Sequence, residues 1–122
     1  MTNFNLAVLY VKNSDASAAF YKTLLDQPIA QSSPKFSMLP LGGGAMLGLW
    51  QREDVEPRVG SELGGGEIAF TVADADAVRA THEAWKARGA KIAQVPTAMS
   101  FGHTFVALDP DGHRLRVFAP AA

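Results

Sequence analysis

The chain has 122 residues, the length of a single domain; 48% of them are hydrophobic and 19% charged, too apolar a mix for a disordered chain. A net charge of −1 with scattered Lys and Arg supplies no basic stripe for a nucleic-acid backbone, and the lack of cysteine excludes disulfides and thiolate metal sites. No apolar run approaches the roughly 18–20 residues that span a bilayer, and the opening residues lack the basic flank and apolar core of a signal peptide, so the expectation is a soluble cytoplasmic domain with no nucleic-acid or membrane partner.

Residues 4–11 are apolar at nearly every position, which predicts a strand covered on both faces. Asn13 or Ser14 is placed to cap a following helix, with Asp15 in its first turn. Ala16, Phe20 and Leu24 recur at helical spacing, and Pro28 stops the run. Short strands are predicted at 29–31, 35–39 and 45–50, punctuated by Pro34, Pro40 and Gly42-Gly43-Gly44.

Residues 51–66 are polar and rich in Gly, Pro and charge, and read as a linker in which Gly64-Gly65-Gly66 is a hinge; no Lys-Ser/Thr follows to make it a phosphate loop. The pattern then begins again. A strand over 67–72 leads to Asp74 as a helix cap, and the helix carries Val78, His82 and Trp85 before Gly89 ends it. Strands at 91–95, 103–108 and 114–118 follow, with a turn at Asp109-Pro110-Asp111-Gly112. The expected fold is α+β: two tandem β-α-β-β-β modules, about 4–50 and about 67–118.

Alternation assigns the strand faces, because successive side chains point oppositely. Ile68, Phe70, Val72, Leu115 and Val117 form an apolar stripe suited to lie under a helix. The opposite stripe carries Glu67, Ala69, Thr71, Arg114, Arg116 and Phe118. Laying residue 6 over 67 and residue 44 over 112 puts Leu6, Val8, Tyr10, Met46, Gly48 and Trp50 on the equivalent face of the first half. One face is core, and the other is mixed polar and aromatic, as a binding surface should be.

Val11-Lys12-Asn13 through Phe20-Tyr21, the stretch Ala69 to Asp74, and Leu108-Asp109-Pro110-Asp111-Gly112-His113 together resemble the vicinal oxygen chelate superfamily of glyoxalases, ring-cleaving dioxygenases and bleomycin and fosfomycin resistance proteins. The resemblance spans nearly the whole chain. It implies curved mixed sheets of the glyoxalase/bleomycin resistance fold, a homodimer, and a site inside each sheet. Leu49-Trp50, Phe101-Gly102-His103-Thr104-Phe105 and Arg116-Val117 are most similar to the phenazine-antibiotic resistance branch, whose binding is non-catalytic; His103 stands where that branch is expected to carry an arginine.

Catalytic members of the superfamily place metal ligands at four inward positions, which map onto Leu6, Gly48, Glu67 and Arg116. Only Glu67 offers a ligand there. Leucine and glycine have no donor, and the permanent charge of Arg116 opposes a cation. The expectation is therefore no metal and no cofactor, with Glu67 and Arg116 paired to each other.

Candidate ligand-binding residues are Trp50, Tyr10, Met46, Phe118, His103, Glu67 and Arg116. A planar ring stacked on Trp50 would gain about 0.5–1.5 kcal/mol beyond its area burial. Met38 and Phe36 fit a flat apolar ligand or plain packing equally well. Trp85 reads as core, His82 as solvent-facing and His113 as structural. The histidines have no carboxylate partner at metal spacing, and no Ser-His-Asp arrangement is present.

These residues favour a non-catalytic protein that sequesters a planar aromatic small molecule, an antibiotic such as a phenazine. The alternative is a metal-dependent glyoxalase-like lyase or thiol transferase, which needs ligands from elsewhere. A metal-free enzyme with Glu67 as base and Arg116 as oxyanion clamp ranks last, since a carboxylate paired with a guanidinium is a weak base.

Overall fold

The computed structural model describes residues 4–56 and 67–121, in two compact units, Met1–Glu62 and Leu63–Ala122. The first holds strand β1 (Leu6–Val11), helix α1 (Ser14–Leu25), and strands β2 (Gln31–Ser32), β3 (Phe36–Gly42) and β4 (Ala45–Gln51). The second holds β5 (Glu67–Thr71), α2 (Ala75–Ala87), β6 (Lys91–Met99), β7 (Gly102–Leu108) and β8 (Arg114–Pro120). Each sheet has the same design. The orders are β1-β4-β3-β2 and β5-β8-β7-β6, with the first pair parallel and the rest antiparallel. The register repeats as well: Leu6 faces Met46 as Glu67 faces Arg114, and Tyr10 faces Trp50 as Thr71 faces Phe118.

Both helices start on the side chains that the sequence offers. The Asn13 carboxamide accepts from the Ala16 N–H at 2.9 Å, and the Asp74 carboxylate accepts from the Ala77 N–H at 2.8 Å. Helix α1 ends at Asp26, in the left-handed region at φ 51°, and Pro28 lies outside it. At the end of α2, the Gly89 N–H donates to Lys86 O and the Ala90 N–H to Trp85 O, a Schellman closure.

The stripe that α1 buries differs from the expected one. Ser14, Ser17, Ala18, Tyr21 and Leu24 face the sheet, whereas Ala16 is exposed and Phe20 half-buried. Small Ser and Ala side chains let the helix approach Leu39, Leu47 and Leu49, all fully buried. The Ser14 hydroxyl contacts both Ser37 Oγ at 3.0 Å and Leu49 O at 2.9 Å, so its burial leaves no polar atom stranded.

In the second unit, Val78, His82 and Trp85 line the buried stripe of α2. Trp85 meets Phe70 and Phe105 edge-on at 5.7 and 5.5 Å, as expected of a core tryptophan. His82 corrects the solvent-facing expectation: it is 8% exposed, with its ring 5.4 Å from Phe105 and Nδ1 3.4 Å from a Glu83 oxygen. It sits one turn after Val78, so the helical period carries it inward.

Four other expectations are revised. Strand β1 is covered on one face only, since Leu6, Val8 and Tyr10 are 36–40% exposed while Val11 is fully buried. Strand β3 runs through Pro40 and β6 through Pro96; both prolines lie where the register shifts, and β6 is an edge strand that tolerates a missing N–H. The segment read as a linker begins with the last residue of β4, a short 3₁₀ turn at Arg52–Asp54 and a buried Val55. The Gly64-Gly65-Gly66 hinge lies outside the described residues. No helix of the described residues is long and apolar enough to cross a membrane.

Candidate functional site

In each unit one sheet face packs on the helix and the other carries the residues singled out above, His103 excepted. On the first, the pairing Tyr10–Trp50–Phe36 across β1, β4 and β3 sets three aromatic residues in one row. Their rings meet edge-on: Tyr10 to Trp50 at 6.3 Å and 77°, Phe36 to Trp50 at 6.4 Å and 87°. All three retain partial exposure. The neighbouring rows are Val8–Gly48–Met38 and Leu6–Met46–Pro40, so the aromatic row continues into an apolar, thioether-bearing floor. Such a surface gives a flat ring both faces and edges to pack against.

The second unit puts a charged cluster on the matching face. Arg116 Nε donates to Glu67 Oε2 at 2.6 Å, and Nη1 donates to the buried Thr104 hydroxyl at 3.1 Å. Thr104 in turn donates to the Val117 carbonyl at 2.9 Å, which ties the guanidinium to the sheet. The Arg116 Cζ lies 5.6 Å from the Phe101 ring centre, a cation–π distance, and Phe101 meets Phe118 edge-on at 6.2 Å. The side chains of Arg116 and Glu67 keep 17% and 34% exposure. A pair this wet adds at most about 1 kcal/mol of stability, and its larger effect is to hold the guanidinium in one place.

The profile of the Glyoxalase/Bleomycin resistance protein/Dioxygenase superfamily matches residues 3–117. The chain belongs to this superfamily. A curated relative, the phenazine antibiotic resistance protein EhpR of Enterobacter agglomerans, is 28% identical over 116 residues, covering 93% of this chain and 88% of that protein. The solution NMR structure of protein ATC0852 from Agrobacterium tumefaciens is 49% identical over the full length of both chains, with a TM-score of 0.88. A lactoylglutathione lyase from the same organism shares the fold at 19% identity, covering 98% of this chain and 94% of that one with a TM-score of 0.79.

The superfamily's metal centre does not fit these residues. A Cβ added at Gly48 would stand 2.8 Å from Phe36 Cζ, 3.0 Å from Cε1 and 3.3 Å from a Val8 methyl, so the space where that position would extend a ligand is filled by a benzyl ring. Glu67 has a carboxylate oxygen engaged by Arg116. Leu6 has no donor atom. Of the four expected ligand positions, three are thus ruled out by chemistry or space and the fourth faces a fixed positive charge.

A different cluster meets metal spacing. Ligand atoms of Asp109, Asp111 and His113 lie within 4.8 Å of one another, carboxylates that the sequence reading did not place beside a histidine. They are already used as a turn latch. Asp109 Oδ1 accepts from the N–H groups of Asp111 and His113 at 2.9 and 2.8 Å, and Oδ2 pairs with His113 Nδ1 at 2.8 Å. That hydrogen bond to Asp109 raises the His113 pKa above its usual value; burial opposes the shift, and the charges of Asp109 and Asp111 add to it.

Of the expected site residues, the structure groups Tyr10, Trp50 and Met46 on one open face, and Glu67, Arg116 and Phe118 on the other unit's. His103 stands apart from the second group. Its ladder partner is Ala119, which places it on the helix side of the sheet with Phe105 and Val117. There it lines a cavity of about 500 Å³ with Asp74, Ala75, Met99 and Pro120. Phe101 and Thr104 were not among the candidates, and Phe36 was left open between ligand contact and plain packing. Period-2 alternation does place Phe36 with Met38; Phe101 precedes a strand, where alternation says nothing.

Proposed function

We propose that this chain binds and sequesters a planar aromatic small molecule, of the antibiotic type that a phenazine represents, without a metal ion and without altering the ligand's bonds. The observation that carries the reading is the Tyr10–Trp50–Phe36 row, in which Phe36 occupies the space over Gly48. Where a catalytic relative would extend an ion ligand, this chain presents a ring. EhpR, a phenazine antibiotic resistance protein, supports the ligand class. The likeness to lactoylglutathione lyase speaks for the fold alone.

Stacking of a flat ligand on Trp50 should quench its fluorescence, whereas Trp85, 5% exposed in the core, stays silent. Titration with phenazine should therefore give saturable quenching that Trp50→Ala removes. Absence of quenching in the unaltered protein, or a turnover that appears on adding nickel, zinc or manganese with stoichiometric ion bound, would refute the reading.

A homodimer belongs to the same proposal. Phe4, Leu6 and Val8 expose 82%, 40% and 37% of their surfaces in one chain, an apolar strip running beside the aromatic row that a second copy would cover, so that the ligand would lie against both copies. Light scattering should give twice the 13.0 kDa mass of one chain; the mass of one chain would remove dimerisation from the account.

A further inference from the structure

The Glu67–Arg116 pair is more than a neutralised charge, because it is incompletely used. Arg116 spends Nε on Glu67 and Nη1 on Thr104; among the described residues Nη2 has no hydrogen-bond partner. Glu67 likewise spends Oε2 and leaves Oε1 unbonded among the described residues. Both side chains are partly exposed, and the phenyl ring of Phe101 stands beside the guanidinium and meets Phe118 edge-on. One fixed donor and one acceptor thus sit at the margin of an aromatic surface.

We propose that this pair selects ligands by a neutral hydrogen-bonding edge: an aromatic carboxamide or lactam, whose carbonyl accepts from Arg116 Nη2 and whose N–H donates to Glu67 Oε1. The inference rests on the reading above that the ligand is aromatic; within the second unit it sets the ring beside Phe101 and Phe118 and adds the polar group that the ligand carries. A carboxylate fits less well. Glu67 already cancels the guanidinium charge, so an incoming anion gains little from Arg116 and is repelled by Oε1. A bare hydrocarbon edge leaves the donor and acceptor desolvated and unpaired, which a site of this kind penalises.

The test compares three probes of one ring system in the full-length protein: phenazine, phenazine-1-carboxamide and phenazine-1-carboxylate at pH 8, each titrated by calorimetry. The carboxamide should bind about tenfold more tightly than either of the others, the worth of one hydrogen bond to a charged group. Glu67→Gln keeps an oxygen for Arg116 Nε while removing the negative charge, so its preference should move at least tenfold toward the carboxylate. Arg116→Met loses the donor to the carbonyl and leaves the Glu67 charge uncancelled, so its carboxamide preference over phenazine should shrink and its carboxylate affinity should fall further; its circular dichroism and melting curve establish that it is folded. Equal binding of the three probes to the unaltered protein overturns the edge proposal and leaves ring binding standing. A carboxylate preference in the unaltered protein, or no change in Glu67→Gln, also overturns it. Failure of all three probes to bind removes the aromatic-ligand reading and this inference with it.

Discussion

The ring of Phe36 rests on Gly48: its Cζ lies 2.8 Å from the point where a Cβ on that residue would stand. The contact joins β3 to β4 across a diagonal of the ladder, in which Phe36 pairs with Trp50 and Gly48 with Met38. A Cβ at 48 requires the ring at 36 to shift.

Gly48→Ala should therefore destabilise the protein by about 1–3 kcal/mol through overpacking. Phe36→Ala in the same background should recover part of that loss, giving a coupling energy of about 1 kcal/mol or more in a double-mutant cycle. Urea denaturation of the four proteins measures it. Additive effects of the two substitutions would mean that the ring yields without cost.

The two tryptophans should separate stability from binding. Trp85 sits between Phe70 and Phe105 in the core, so Trp85→Ala should cost about 3–5 kcal/mol. Trp50 is partly exposed and touches Tyr10 and Phe36 at their edges, so Trp50→Ala should cost less than half as much while abolishing ligand binding. Comparable destabilisation by both would assign Trp50 to the core.

The latch between His113 and Asp109 predicts a pH dependence of stability. The folded state raises the His113 pKa above the unfolded value of 6.5, chiefly through the hydrogen bond to Asp109. The protonated ring is thus favoured by folding, and its stabilising contribution is complete below about pH 6.5 and lost as pH rises through the raised value. Thermal midpoints should fall between pH 6 and 9, and His113→Gln should flatten that slope. An unchanged slope in the variant would show that other groups set it.

Much of this was legible in the chain because two periodicities carry it. Alternation of polar and apolar residues separated Glu67 and Arg116 from Leu115 and Val117, and overlaying the halves put Gly48 opposite Arg116; the pairing of Glu67 with Arg116 followed from charge. The caps Asn13 and Asp74 are local chemistry and were equally plain. What escaped depends on neighbours distant in sequence. Ser17 and Ala18 are buried because α1 lies close on its sheet; His82 follows Val78 by one turn, and Phe105 offers its ring a place there. Pro40 and Pro96 punctuate a sequence yet sit inside strands, since an irregular register or an outer edge removes the need for their missing N–H groups. His103 illustrates the same limit: its face is set by pairing with Ala119, which only the folded ladder reveals. The aromatic floor was legible residue by residue, whereas the filling of the Gly48 space by Phe36 was not, because a diagonal reach depends on a rotamer.

Calorimetric titration of phenazine into the protein, with and without excess EDTA, bears most directly on the claim that a ring replaces an ion. The account predicts one binding isotherm of the same affinity and heat in both solutions, with the phenazine recovered unchanged. Binding that vanishes in EDTA and returns with one equivalent of a divalent ion would contradict it.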